Sequence, residues 1–475
     1  MIQEKCPYVE KCGACHMGQT TYEEELIAKK ELVESHIGKY CRNIHDVAGM
    51  YYPFHYRNKV HAVFGRLKDE VIAGTYSEGT HTIVPIDNCL IEDAQASAII
   101  KTVTELVKSF KIWIYNEDTG RGVLRHVLVR KGMSTKQIMV VLVTACPEFP
   151  HKNNFVAELR KRHPEITTIV QNINEANTTM VLGERNKPLY GEGYIEDVLC
   201  GLRFRISPNS FYQVNSAQTQ VLYKKAIQAA GLTGKETVVD AYCGIGTIGM
   251  AMASKAGKVL GIELNRDAVK DAKANAKRNN LNNIHFVAAD ATEYLTSMAQ
   301  EGAKADVVVM DPPRSGSTEE FIQAVAQLAP ERVVYVSCNP ETLGRDLESF
   351  KKVKYRAVEA WPVDMFGWTV HVETVCLLSK LREAKHHVNV RLDMDEMDIT
   401  SAESKATYEE IKKYVAEHND GMKVTNLYIA QVKKKCGIIE RENYNKPKSE
   451  DEMQPQCPKD KEKAIMEALK AYKMI

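Results

Sequence analysis

The chain has 475 residues, room for about three domains of about 150 residues each, which excludes a single small binding module. Its 44% hydrophobic and 26% charged residues exclude bulk disorder and a collagen-like chain, and 63 basic against 62 acidic side chains exclude a uniformly basic nucleic-acid coat. A local basic face can still neutralise phosphates, so a nucleic-acid partner stays open. No stretch reaches the roughly 20 apolar residues that span a bilayer, and Glu4, Lys5, Glu10, Lys11 and Glu23 to Glu25 leave no apolar secretory core. The expectation is a cytoplasmic protein without membrane contact and with no obligate protein partner evident. Thiols stay reduced there, so the twelve cysteines read as metal ligands, catalysts or core residues before any disulfide.

In chain order, Cys6, Cys12 and Cys15 lie with Pro7 and Gly13 in a short segment that leads into a charged helix from about Tyr22 to Ile37. Residues 1–50 thus read as a cysteine knuckle and helix. From Tyr52 to about Gly193 the pattern turns to short β-rich runs, at 59–66, 122–130, 137–144 and 167–172, with helices at 93–110 and 153–162 between them, an α+β domain over 51–205. After Ser210 come a helix at 217–230, a strand at 237–241, a helix at 246–254, a strand at 259–262, a helix at 266–279 and strands at 284–287, 305–310 and 332–336. This alternation predicts an α/β, doubly wound, Rossmann-like domain over 206–381, with ligands at the carboxyl ends of the strands. Residues 382–475 read as a charged linker and helical appendage, with helices at 407–418, 425–435 and 459–472, the second closed by Gly437 and the third opened by Pro458.

The strand at 237–241 runs into Asp240, Ala241, Tyr242, Cys243, Gly244, Ile245, Gly246 and Thr247. Two glycines permit a tight turn and close ligand approach, and Glu263, 21 residues past Tyr242, is placed to accept ribose hydroxyls. The absence of a third glycine favours S-adenosylmethionine over a dinucleotide, since no pyrophosphate has to be held. Asp290 closes the third strand unit. Asp311, Pro312, Pro313 and Arg314 end the fourth strand, and Ser337, Cys338, Asn339 and Pro340 end the next, so a thiol stands at the same edge 27 residues after Asp311. Asp364, Met365 and Phe366, then Thr369, His371, Val372 and Glu373, bring further carboxylates late in the fold.

Gln213 in "SPNSFYQVN", the "DAYCGIGTIG" turn, Glu263 in "GIELN", "MDPPRSG", "YVSCNP" and "DMF…HVETV" together resemble the RNA uracil-C5 methyltransferases, over about residues 1–381. Within that family the iron–sulfur-containing 23S rRNA branch is most similar, because Cys6, Cys12, Cys15 and the distant Cys89 match its cluster pattern; the small RNA-binding β-barrel many relatives carry ahead of the knuckle is not expected here. The resemblance implies Cys338 as the nucleophile that adds to uracil C6 and Glu373 as the base that removes the C5 proton. It also implies cofactor contacts from Gln213, Tyr242, Thr247, Glu263, Asp290 and Asp311, beside the turn glycines Gly244 and Gly246. Four thiolates suit zinc or a 4Fe-4S cluster, and only the resemblance chooses the cluster. The implied substrate is RNA, 23S rRNA favoured and tRNA possible, with the target base flipped out or taken from a loop. A non-catalytic RNA-binding iron–sulfur protein is the alternative from another class.

Bland readings stand beside these. Cys41, Cys146, Cys200, Cys243 and Cys376 read as core, and His371 as a structural neighbour. Arg57, Lys59, His61, Arg121, Arg125, His126, Arg130 and Lys131 sit on β-rich runs and are expected to offer phosphates one basic face, with Phe54 and Tyr56 stacking unpaired bases. "DMFGWTVHVE" carries Gly367 and Trp368 where many relatives have proline after the phenylalanine, so its loop is expected to differ in shape. The segment "LYIAQVKKKCG" and its neighbouring helix resemble a helix-turn-helix, which suggests an auxiliary RNA contact.

Overall fold

Local capping signals set where the helices begin. Thr21 and Glu24 form a reciprocal capping box at the start of helix Tyr22–Ile37. Asp93, Asn265 and Asp290 each accept two backbone N–H groups at the starts of Ala94–Ser109, Arg266–Arg278 and Ala291–Gln300, and Asn339 with Pro340 opens Pro340–Lys352. The computed structural model describes residues 6–16, 19–68, 70–178, 180–381, 407–436 and 456–472. Contacts divide the chain into two units, Met1–Glu383 and Ala384–Ile475.

In the first unit, β1 (Lys59–Leu67), β2 (Glu70–Tyr76), β3 (Ile83–Pro85), β4 (Leu124–Lys131), β5 (Ile138–Thr144), β6 (Ile166–Ile173) and β7 (Arg185–Tyr190) form one sheet in the order β3-β2-β1-β4-β5-β6-β7. Neighbours are antiparallel except β5 and β6. Helices Ala94–Ser109 and Lys152–Arg162 bury Ile99, Val103, Phe155 and Leu159 against Val127, Val129, Val140 and Leu142. Leu128, Met139, Val141 and Val143 face the other way, as period-two side chains must, and join a core shared with the hairpin β8 (Ile195–Leu199) and β9 (Leu202–Ile206) and with helix Ser216–Ala230.

The second sheet has β10 (Thr237–Ala241), β11 (Lys258–Glu263), β12 (Ile284–Ala288), β13 (Val307–Met310), β14 (Arg332–Ser337), β15 (Tyr355–Val363) and β16 (Glu373–Lys380), in the order β12-β11-β10-β13-β14-β16-β15. The first five strands in that order pair in parallel, and β16 pairs antiparallel with both β14 and β15. The reversal at β10, flanked by β11 and β13, opens a crevice at the strands' carboxyl ends. Val33 and Ile37 of the first long helix are fully buried among Leu343, Leu347 and Phe350 against this sheet.

The expected basic face is not what β4 provides. Every residue of β4 except Lys131 is buried, because the strand lies inside the sheet with both faces covered. Arg125 donates to the carbonyls of Asn174, Ala176 and Thr178, and Arg130 donates to those of Ser207 and Ser210, fastening the segment that leads to Gln213. Lys131 pairs with Asp93 at 2.8 Å. Tyr56 is buried too, its hydroxyl donating to the Gly367 carbonyl at 2.9 Å. These groups hold the protein together rather than meeting phosphates. Cys41, Cys243 and Cys376 are core residues as expected, whereas Cys146 is partly exposed and Cys200 is exposed. The reason at Cys200 is the tight turn between β8 and β9, where Cys200 and Gly201 both take positive φ.

In the second unit, Tyr408–His418, Asn426–Lys435 and Lys459–Ala471 surround Ile411, Val415, Ile429, Val432, Ile465 and Leu469, all but fully buried. The expected linker over 382–406 and the stop at Gly437 lie outside the described residues.

His126 on β4 is buried, its Nδ1 has no hydrogen-bond partner, and burial with His61 and Arg125 nearby pushes its pKa down to about 3. The unfolded chain therefore takes up this proton first, so stability falls as pH drops below about 6.5, by at most about 1.4 kcal/mol per pH unit. Thermal melts between about pH 7 and 5 should show a smaller drop for His126→Leu than for the parent; equal drops would mean that His126 titrates normally in the fold.

Candidate active site

The turn after β10 is built by two left-handed glycines, Gly244 at φ 55° and Gly246 at φ 82°. A Cβ on Gly246 would meet Phe286 at 2.6 Å, whereas Gly244 faces open space, so the first glycine sits against the crevice and the second lets the helix Thr247–Ala253 pack. Glu263, at the end of β11, receives the Gly244 N–H at 3.0 Å and the Asn265 N–H at 2.8 Å, which fixes its carboxylate across the turn. Thr247 shares a 2.7 Å hydrogen bond with Tyr223, and Tyr242 stacks its tilted ring on Phe321 with centroids 5.1 Å apart. Gln213 is buried, and its carbonyl accepts from Asn58 at 3.2 Å. Asp290 is exposed and serves as a helix cap, taking the N–H groups of Thr292 and Glu293 on one oxygen.

Asp240 is a member of this edge that motif reading passed over. It is buried, its Oδ2 accepts the Gly249 N–H at 2.8 Å, and its Oδ1 has no hydrogen-bond partner. Burial first, then the charges of Asp311 and Glu263, push its carboxyl up to about 7. Only its position as the last acid of a strand before the glycine turn signals it in the sequence.

Cys338 follows β14 and Glu373 opens the neighbouring β16, which places them on adjacent strand ends. The thiol is half-buried and pushed up to about 11, mainly by burial, then by Glu373 and Asp311, with Arg314 opposing. Glu373 is buried; desolvation first and Asp311 second raise it well above the usual carboxylate range, and Arg314 pulls it back. Asp311 is raised as well, again by desolvation. One thiol, two carboxyls and one guanidinium thus share a field next to the glycine turn. A cavity of about 240 Å³ opens on Cys338, lined also by His36, Arg314, Asn339, Glu341, Val370, His371 and Val372. His371 sits on its rim, edge-on to Phe366 at 6.3 Å.

Away from this edge, Cys6, Cys15 and Cys89 gather in one cluster with Tyr22, Phe54, Tyr56 and Trp368. Cys12 is buried and lies within electrostatic reach of Cys6 and Glu92, and Cys89 within reach of Cys15 and Glu92. Among the described residues, no three His, Cys, Asp or Glu side chains stand in metal-holding spacing. The four cysteines share one neighbourhood without forming such a group.

Comparison with known proteins identifies the family. The family model for tRNA (uracil-5-)-methyltransferases matches residues 185–381. An uncharacterized RNA methyltransferase of Caldanaerobacter subterraneus is 42% identical over 383 residues, covering 80% of this chain and 85% of the relative. One from Halalkalibacterium halodurans is 41% identical over 381 residues, covering 79% and 83%. Among solved structures, the Pyrococcus abyssi tRNA (uracil-54, C5)-methyltransferase in complex with S-adenosyl-L-homocysteine superposes with a TM-score of 0.63 at 28% identity, over 75% of this chain and 83% of that one. S-adenosylmethionine is accordingly the methyl donor, RNA the substrate and uracil C5 the acceptor. By this match in sequence and overall fold, the chain belongs to the RNA uracil-C5 methyltransferase family.

Proposed function

We propose that the protein methylates C5 of a uridine in 23S rRNA through a covalent adduct between Cys338 and uracil C6. The observation that carries this reading is the grouping of Cys338, Glu373, Asp311 and Arg314 at one strand edge, beside the glycine turn. Uracil C5 is a poor nucleophile; addition of the Cys338 thiolate to C6 puts electron density on C5 and the carbonyl oxygen. C5 then takes the sulfonium methyl and S-adenosylhomocysteine leaves. Glu373 removes the C5 proton, the C5–C6 double bond re-forms and the thiolate is expelled. Arg314 is placed to stabilise negative charge on the enolate, and its charge also favours the ionised forms of the thiol and Glu373. The proposed donor contacts are Gln213, Tyr242, Gly244, Gly246, Thr247, Glu263, Asp290 and Asp311, with Asp240 supplying field rather than contact.

The preference for rRNA rests on Cys6, Cys12, Cys15 and Cys89, proposed to hold a 4Fe-4S cluster. Such a cluster supplies a cross-link between the knuckle and the segment around Cys89, since methyl transfer moves no net electrons. A tRNA uridine is the second reading, favoured by the family description and by the tRNA enzyme from Pyrococcus abyssi.

Cys338→Ala should abolish methyl transfer and adduct formation while leaving donor binding intact, and Glu373→Gln should trap a covalent methylated RNA adduct visible by denaturing electrophoresis. Turnover by Cys338→Ala would show that another thiol, or none, is used. Because the raised pKa of Glu373 puts its base form on the alkaline side, and the thiolate also grows with pH, kcat/KM should climb from about pH 6 to about pH 9; a maximum below about pH 6 would contradict these roles. Protein purified without oxygen should be brown with broad visible absorption that Cys89→Ser removes, whereas a colourless protein with one zinc per chain would overturn the cluster.

A further inference from the structure

The loop that connects β15 to β16, residues 364–372, ends on Glu373, and Val363 faces Glu373 across the hairpin. It is held almost entirely by residues outside the second sheet. At its start, Asp364 is fully buried and accepts from Lys29 Nζ at 2.6 Å and from the Tyr22 hydroxyl at 2.5 Å. Lys29, itself only 2% exposed, also bonds Glu25 at 2.5 Å and the Phe366 carbonyl at 3.1 Å. Glu25 in turn receives the Trp368 N–H at 2.7 Å. At Trp368 the backbone takes a left-handed φ of 66°, which an L side chain adopts only when its surroundings impose it. Those surroundings are the Pro53 carbonyl, which accepts the indole N–H at 2.8 Å, the rings of Tyr22 and Phe54, and the His16 N–H on the Trp368 carbonyl at 2.7 Å. Gln218 and Asn215, next to the proposed donor-binding Gln213, bind the carbonyls of Asp364 and Met365.

A lysine, two carboxylates and a phenol buried together carry a heavy desolvation cost, and a loop that only had to link two strands needs none of them. We infer that the Lys29–Asp364 pair, with Trp368 clamped between the first long helix and the cysteine knuckle, positions Glu373 for proton removal. Lys29, Asp364 and Trp368 are positioning residues in this scheme; they act through the loop and touch neither base nor donor. The chemistry selects which step suffers when the clamp loosens. Cys338 directly follows β14 and lies outside the loop, so addition to C6 and methyl transfer proceed. A base displaced by about 1 Å costs about a hundredfold in its own step, so the methylated adduct waits for elimination.

This inference rests on Glu373 being the base, and the experiment separates the two. The full-length protein, its Glu373→Gln variant, Lys29→Met and Trp368→Phe are each mixed with S-adenosylmethionine and rRNA lacking the modification. Covalent adduct, methylated product and donor affinity are followed together. Trp368→Phe keeps a ring and deletes one N–H bond, so it serves if Lys29→Met does not fold. The expected result is that both clamp variants bind the donor normally, form adduct at the parental rate and release product at least about tenfold more slowly, with adduct accumulating as in Glu373→Gln. Lys29→Arg, which restores the charge, should recover part of the release rate. If Glu373→Gln accumulates adduct and Trp368→Phe shows parental release, or loses adduct and product in equal proportion, the positioning role is wrong. If Glu373→Gln itself accumulates none, the base assignment falls first.

Discussion

The buried ion pair between Lys29 and Asp364 is the constraint on which the first unit turns. It joins a helix near the amino terminus to a loop 335 residues later, in a setting where neither charge reaches water. Removing one partner of such a pair leaves the other charge buried alone, a cost of about 3–5 kcal/mol, whereas the pair itself adds little net stability over an apolar substitute. What it supplies is a fixed arrangement. Tyr22, Glu25 and the carbonyl of Phe366 complete the polar contacts around it, and Trp368 closes it over on the side of the cysteines.

Around this point the two sheets take different tasks. The mixed sheet of β1 to β7 spends its charged residues internally: Arg130 holds the segment before Gln213, and Arg125 holds the 174–178 segment that follows β6. The second sheet gathers acids at its carboxyl edge, where the charges of Asp311 and Glu263 add to the burial that raises Asp240. Burial chiefly, and then the charge of Asp311, raise both Cys338 and Glu373, while Arg314 opposes the rise at each.

The second sheet's strands and the cofactor turn were legible in the sequence because their signals are local. Apolar runs of strand length alternate with amphipathic helices, and Gly244 and Gly246 mark a turn that few other residues could form. The antiparallel pair β15 and β16 was less legible, since its order beside β14 depends on tertiary pairing. Lys29 reads as one more charge on a solvated helix, and its partner lies too far along the chain to leave any spacing signal. The basic residues of β4 misled for a related reason. Alternation along a strand suggests a solvated face, but a central strand covered on both sides has none, so Arg125 and Arg130 are anchored to carbonyls instead.

The central claim is that a methyl group replaces the hydrogen on uracil C5 while Cys338 holds C6. Unmodified 23S rRNA carrying tritium at uracil C5, incubated with the protein and S-adenosylmethionine, measures this directly. One tritium should appear in water for each methyl transferred, with none of either from Cys338→Ala. Methyl transfer without tritium release would place the methyl elsewhere and contradict the account.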